Sequence, residues 1–169
     1  MTLAELNYLP EPSLAEALQK CCGSSAWVEN MLAAFPVADA ETLMDEAKTA
    51  WNKLDEADWR EAFTHHPKIG GDVEALRQKC ASTSTWAEGE QAAVKESSQE
   101  TLEALVRGNE DYERRFGYIF IVCATGKTAT EMLALLQARL ANDPTAEILI
   151  AAAEQDKITR IRLEKLLAA

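Results

Sequence analysis

Both histidines of the chain stand side by side, in Thr64-His65-His66-Pro67-Lys68-Ile69-Gly70-Gly71-Asp72. Imidazole is the side chain that exchanges a proton most readily near neutral pH, so this stretch is where acid–base chemistry would be centred. Pro67 biases His66 away from the α region. A helix carrying Trp59, Ala62 and Phe63 is therefore expected to end near His65, leaving His66 on a stiff turn. Gly70 and Gly71 permit backbone conformations closed to other residues, and Asp72 can cap a new helix through Val73, Leu76 and Cys80. A carboxylate partner is available downstream in Glu88 or in Glu90-Gln91. A helix connector with two solvated histidines, and acidic residues that merely answer a helix dipole, would leave the same pattern.

Other chemistries find less support. There is no HExxH; the nearest pairing, Glu61 with His65 at i,i+4, lacks a third ligand, so no metal site is expected. No GxSxG is present, and the four cysteines, Cys21, Cys22, Cys80 and Cys123, lie in apolar contexts that keep thiols protonated. Gly126-Lys127-Thr128 looks like the tail of a phosphate-binding loop, yet Val122 or Ile121 stands where its first glycine would be needed.

Seventeen basic against twenty-eight acidic residues give a net charge of −11 over 169 residues. That field repels nucleic acid and anionic lipid, so an anionic ligand must be drawn by local groups such as His66, Lys68, an arginine or backbone N–H groups. The cysteines lack CxxC or finger spacing, which suits buried thiols in a reducing compartment. The N-terminal stretch lacks a basic and apolar leader, and the longest apolar run, Tyr118 to Ala124, is far short of the ~20 residues that span a bilayer. The expectation is a cytoplasmic protein with no membrane or nucleic-acid partner.

The elements that must position the histidines read as helices throughout. Ser13-Leu-Ala-Glu16 is a capping box for a helix with Leu14 and Leu18, stopped at Gly23. Ser24 or Ser25 caps the next, with Trp27, Met31 and Ala34 on one stripe and Pro36 beyond its end. Asp39 precedes an amphipathic helix through Leu43, Ala47 and Trp51, and Asp55 caps the short helix that reaches the histidines. After a polar loop at 81–85, a helix from Trp86 is expected to close at Gly108-Asn109, with Tyr112 and Phe116 on a further short one. Tyr118 to Ala124 is either a strand or a buried helical piece by its composition; with no partner strand elsewhere it is expected to be buried outside any sheet. Thr128-Ala-Thr-Glu131 is a second capping box, and Asp143-Pro144 opens the last helix. There Gln155 and Arg162 interrupt the apolar stripe of Ile148, Ala151 and Ile158, so Arg162 is paired inside the fold or lies at an edge. The sum is one all-α domain over 1–169, a helical bundle of about eight helices.

In Leu6-Asn7, Cys21-Cys22-Gly23-Ser24 with Trp27, His66-Pro67-Lys68-Ile69-Gly70, Glu90-Gln91, Arg115-Phe116-Gly117-Tyr118-Ile119-Phe120-Ile121, Gly126-Lys127 and Arg162-Leu163, the chain resembles the 2-oxo-4-hydroxy-4-carboxy-5-ureidoimidazoline (OHCU) decarboxylases. The resemblance runs nearly end to end. It implies an all-α homodimer and a cofactor-free carboxy-lyase reaction in urate degradation that yields (S)-allantoin and carbon dioxide. His66 matches the family's catalytic histidine and Pro67 its neighbour in the substrate pocket. Glu90 and Gln91 match the pair that binds substrate, with Glu90 given the catalytic task of orienting the substrate hydroxyl. Ala87 stands where the family often has serine, which removes one hydroxyl contact. Phe120, Ile121, Val122, Cys123 and Ala124 match the stretch lining the substrate ring, and Lys68 and Arg162 are further anion partners. The alternatives are a helical interaction domain without activity, or a related lyase for another ureido or imidazoline acid.

Overall fold

The computed structural model describes residues 1–67 and 99–168, and in these the chain is all-α, with eight helices and no strand. They are α1 (Leu3–Asn7), α2 (Glu11–Cys21), α3 (Ser25–Ala34), α4 (Ala40–Asn52), α5 (Glu56–Thr64), α6 (Gln99–Phe116), α7 (Ala129–Leu140) and α8 (Pro144–Ala168). The expected all-α class is the one observed. No helix among the described residues is long and apolar enough to cross a membrane. The chain divides into two compact units, Met1–His66 with Ala152–Ala169, and Pro67–Ala151.

In the first unit the cap signals act as short-range chemistry requires. Asp39 and Asp55 accept from the backbone N–H groups of Thr42 and Asp58, and Ser24 accepts from that of Trp27. Thr2 and Glu5 form a capping box that starts α1, an element absent from the sequence reading. Ser13 does not start α2. That helix begins earlier because Pro10 and Pro12 set its first turn, where a missing N–H costs nothing, and Ser13 instead donates its N–H to the Pro10 carbonyl at 2.9 Å. Gly23 has no left-handed backbone either. Its lack of a side chain is required because the His65 ring lies where a Cβ would sit, with Cγ 2.4 Å from that position.

The core of this unit is built from Leu6, Leu18, Trp27, Met31, Leu43 and Trp51, all nearly or fully buried, and closed from the C-terminal side by Ala152 and Leu163 of α8. Two indoles fix helix positions by hydrogen bonds as well as by area: Trp27 donates to the Ala47 carbonyl at 3.0 Å, and Trp51 to that of Ala152 at 3.1 Å. Asn7 is structural: its amide clamps both backbone groups of Val37, at 2.9 and 3.0 Å. Glu61 is not a partner for His65. Its carboxylate accepts from the Ser25 N–H at 3.1 Å and hydroxyl at 2.5 Å, tying α5 to the start of α3.

In the second unit α6 packs along α7. It does not stop at Gly108-Asn109. The Asn109 amide donates to the Leu105 carbonyl one turn back at 2.8 Å, and Gly108 admits the Leu136 side chain, so both residues are satisfied inside a helix that runs to Phe116. The stop comes at Gly117, whose φ of 80° only glycine takes easily. The Thr128–Glu131 capping box and the start of α8 at Pro144 lie where the sequence put them.

Candidate active site

The backbone of α5 ends by its own chemistry. Thr64 turns its hydroxyl back to the Glu61 carbonyl at 2.6 Å, His65 closes the last turn, and the His66 N–H reaches the Phe63 carbonyl at 3.3 Å before Pro67 ends the pattern. The two rings have different surroundings. His65 is exposed and lies over Gly23, lining an open cleft of about 450 Å³ with Ala15, Glu16, Gln19, Lys20 and Arg162. His66 is half-buried, and its Nε2 meets the Oε1 of Gln155 on α8. Gln155 is fully buried; its Nε2 donates to the Thr159 hydroxyl at 3.2 Å.

Arg162, one turn further along α8, spans to the carbonyls of Lys20 and Cys21 at 3.5 and 3.4 Å, where α2 ends. A cation there answers the unsatisfied carbonyls of a helix C-terminus. The adjacent thiols are inert in the sense the sequence suggested: burial pushes both Cys21 and Cys22 up to about 11, against a smaller opposing pull from Arg162.

Phe120 to Ala124 belongs to the second unit and is neither strand nor helix. Phe120, Ile121 and Cys123 are buried, with Val122 and Ala124 partly exposed, so the apolar run is a buried irregular segment. Two cations hold its backbone: Arg139 donates to the Ile121 carbonyl at 2.6 Å, and Lys127 to the Cys123 carbonyl at 2.7 Å. The Arg139 guanidinium also stacks 4.5 Å over the Phe120 ring. It is neutralised by Glu147, with Arg139 Nε at 2.6 Å, and the same carboxylate accepts from Tyr112 at 2.5 Å and from Asn142 at 2.9 Å. Burial and the neighbouring carboxylate raise the Tyr112 phenol far above its ordinary value, so it stays a donor. The rings of Phe116, Tyr118 and Phe120 surround Tyr112 at 4.6, 5.8 and 5.2 Å.

A family model described as OHCU decarboxylase matches residues 7–164. The chain belongs to the OHCU decarboxylase family. Among similar proteins, the uric acid degradation bifunctional protein TTL of Arabidopsis thaliana is 36% identical over 86% of this chain and 45% of its own length. The Bacillus subtilis bifunctional protein PucL is 26% identical over 96% of this chain, which covers 32% of it. The chain thus spans less than half of either bifunctional relative. The 2-oxo-4-hydroxy-4-carboxy-5-ureidoimidazoline decarboxylase of Haloferax volcanii, 25% identical, matches over 96% of this chain and 94% of its own. A solved structure of an OHCU decarboxylase in the presence of (S)-allantoin superposes with a TM-score of 0.71 at 36% identity, covering 89% of this chain and 96% of that one.

Of the residues carried over from the OHCU decarboxylase pattern, His66 and Arg162 fall in one unit and Pro67 and Phe120 to Ala124 in the other. Ala87, Glu90, Gln91 and Lys68 lie outside the described residues. Gln155 and Thr159 were not among the candidates, although Gln155 was visible as a polar interruption of an apolar stripe. Arg139 stands in the family pattern, in Arg139-Leu140, but nothing in the sequence paired it with Glu147, eight residues and a helix break away.

Proposed function

We propose that this chain catalyses cofactor-independent decarboxylation of OHCU to (S)-allantoin and carbon dioxide. What carries the reading is the family match over 7–164 together with a histidine at the family's catalytic position, held at a helix end against a buried amide. A carboxylate leaving from a carbon beside a ring C=N delocalises its electron pair into that imine, so the substrate supplies its own electron sink. The protein's task is then to hold, dehydrate and protonate. His66 is the acid that assists charge development and delivers a proton to one face; Glu90 orients the substrate hydroxyl and Gln91 an amide or carbonyl. Pro67 and Phe120 to Ala124 line the ring, Ala87 leaves a hydroxyl contact unfilled, and Lys68 and Arg162 balance the substrate's negative charge.

The whole chain acts as one domain, as a homodimer in the cytoplasm, on a small anionic ureidoimidazoline. No observation favours the interaction-domain alternative. The deciding experiment is addition of purified protein to freshly prepared OHCU, followed by circular dichroism. Fast loss of substrate with an optically active product is expected, whereas racemate formed at the spontaneous rate overturns the reading.

A further inference from the structure

We propose that Arg139 is the positioning residue of the segment Phe120 to Ala124, setting where that segment stands against the substrate ring, and that the task requires an arginine. The inference rests on the reading of this segment as the lining of the substrate ring. Its own support is a set of contacts within the second unit. One guanidinium meets two adjacent residues of the segment: Arg139 Nη1 donates to the Ile121 carbonyl at 2.6 Å, and its central carbon lies 4.5 Å from the centroid of the Phe120 ring. A hydrogen bond to the backbone of one residue and a face contact with the side chain of the next fix the segment's height and its rotation together, which neither does alone. The guanidinium is itself held. Its Nε donates to Glu147 at 2.6 Å, and Asn142 donates to the other carboxylate oxygen at 2.9 Å.

Stability alone does not account for this arrangement. A buried ion pair seldom adds net stability over well-packed apolar residues of the same volume, because desolvation offsets the attraction. Arg139 is 7% exposed and Glu147 not at all, so the pair bears that cost in full. What the pair supplies is direction: a guanidinium is a planar fork whose donors stand at fixed angles, where an ammonium is a rotatable point charge. The same segment shows the contrast. Lys127 donates to the Cys123 carbonyl at 2.7 Å, so a lysine serves to hold a carbonyl; at 139 one side chain meets a carbonyl, a ring face and a carboxylate. Groups that line a reacting substrate must stand within about 0.5 Å of their productive places, a tolerance that calls for the fixed geometry.

Arg139→Lys separates positioning from charge, since the cation that Glu147 needs is kept. In the parent, 15N relaxation order parameters across 120–124 should be near the ~0.85 of rigid backbone, although the segment is neither helix nor strand. In Arg139→Lys they should fall towards ~0.6, with those of α6 and α7 unchanged. With freshly prepared OHCU this variant should raise KM about tenfold and change kcat and its pH profile little, because lining contacts are lost and the proton donor is untouched. Arg139→Met combined with Glu147→Gln should keep the raised KM and the mobile segment even where its stability recovers. A mobile segment in the parent, or parental order parameters in a folded Arg139→Lys protein, overturns the proposal, as does a double variant whose KM recovers along with its stability. If Arg139→Lys does not fold, the parent and the double variant decide. A segment made mobile by the substitution with KM unchanged would instead overturn the reading of 120–124 as the ring lining. A parent that leaves OHCU to its spontaneous decay would overturn the proposed function, while the order parameters would still decide what Arg139 holds.

Discussion

Among the described residues, the group that meets His66 Nε2 is a neutral amide, whereas those that hold Phe120 to Ala124 carry full charges. At the first, an amide and a hydroxyl form a chain behind an imidazole. At the second, a buried arginine is paired with a carboxylate that has no exposure and that itself accepts from a phenol and an amide, and it spends one donor on the backbone of the segment. The difference follows from what each must do. On the function proposed above, a neutral amide at Nε2 leaves the ring able to take up and lose a proton, while a segment that must keep its shape gains from the stiffest interactions available.

The largest effect should come from breaking the first region at the ring itself. His66→Gln keeps hydrogen bonding but removes the titrating proton, and should lower turnover roughly 10²–10⁴-fold with the helical circular dichroism unchanged. His65→Gln should cost little turnover, because that ring is exposed and packs on Gly23. The reverse result would move the catalytic role to His65.

Breaking the second region should show in stability. Arg139→Met leaves the fully buried Glu147 carboxylate without its cation and should cost about 3–5 kcal/mol in urea denaturation. Adding Glu147→Gln should recover part of that loss, since the uncompensated charge is then gone. Equal losses in the single and double variants would mean that packing of the arginine stem, and not charge, holds the segment.

How much of this was legible differs between the two regions for a physical reason. Local chemistry shows in local sequence: the caps at Asp39, Asp55 and Thr128, the proline that starts α8 and the end of α5 at the histidines all depend on neighbours within four residues. Signals failed where a distant group satisfied the same atoms. Gly108-Asn109 reads as a stop until Leu136 and the Leu105 carbonyl occupy it, and Ser13 reads as a cap until Pro10 and Pro12 start the helix first. His66 as a candidate came from residue type, and the catalytic role expected of it from the family resemblance. The Arg139–Glu147 pair was hidden because nothing in a buried arginine's neighbours announces a carboxylate eight residues away.

Burial in the first unit also predicts a response to alkali. Cys21 and Cys22 are raised to about 11 from 9.0 by burial, so folding favours their protonated forms. That contribution is fully present below pH 9 and is lost as the pH rises through 11, because the unfolded chain ionises first. At about 1.4 kcal/mol per pH unit it amounts to at most about 3 kcal/mol per thiol. Stability measured between pH 8 and 11 should fall accordingly, and Cys22→Ala should flatten part of the fall. A pH profile unchanged by that substitution would show that the thiol ionises equally in both states.

The smallest effects separate two glycines that serve close approach, one in each region. At Gly23 an added Cβ would meet His65 Cγ at 2.4 Å and Cβ at 2.5 Å, atoms next to the backbone at the end of α5 that cannot swing aside. Gly23→Ala should therefore cost about 1–3 kcal/mol and disturb turnover as well, since the displaced residue precedes His66. At Gly108 the nearest atom is Leu136 Cδ2 at 2.6 Å, the far end of a flexible side chain, with Cγ at 3.3 Å. Alanine in mid-helix gains about 0.8–1 kcal/mol of propensity, and a rotamer change of the fully buried Leu136 opposes it by a similar amount. Gly108→Ala should thus lie within about 1 kcal/mol of the parent. Leu136→Ala should make it clearly stabilising relative to that background, because the opposing contact is removed and only the propensity remains. If Gly108→Ala stayed equally neutral in that background, the helix would be gaining nothing from alanine, and close packing would not explain the glycine.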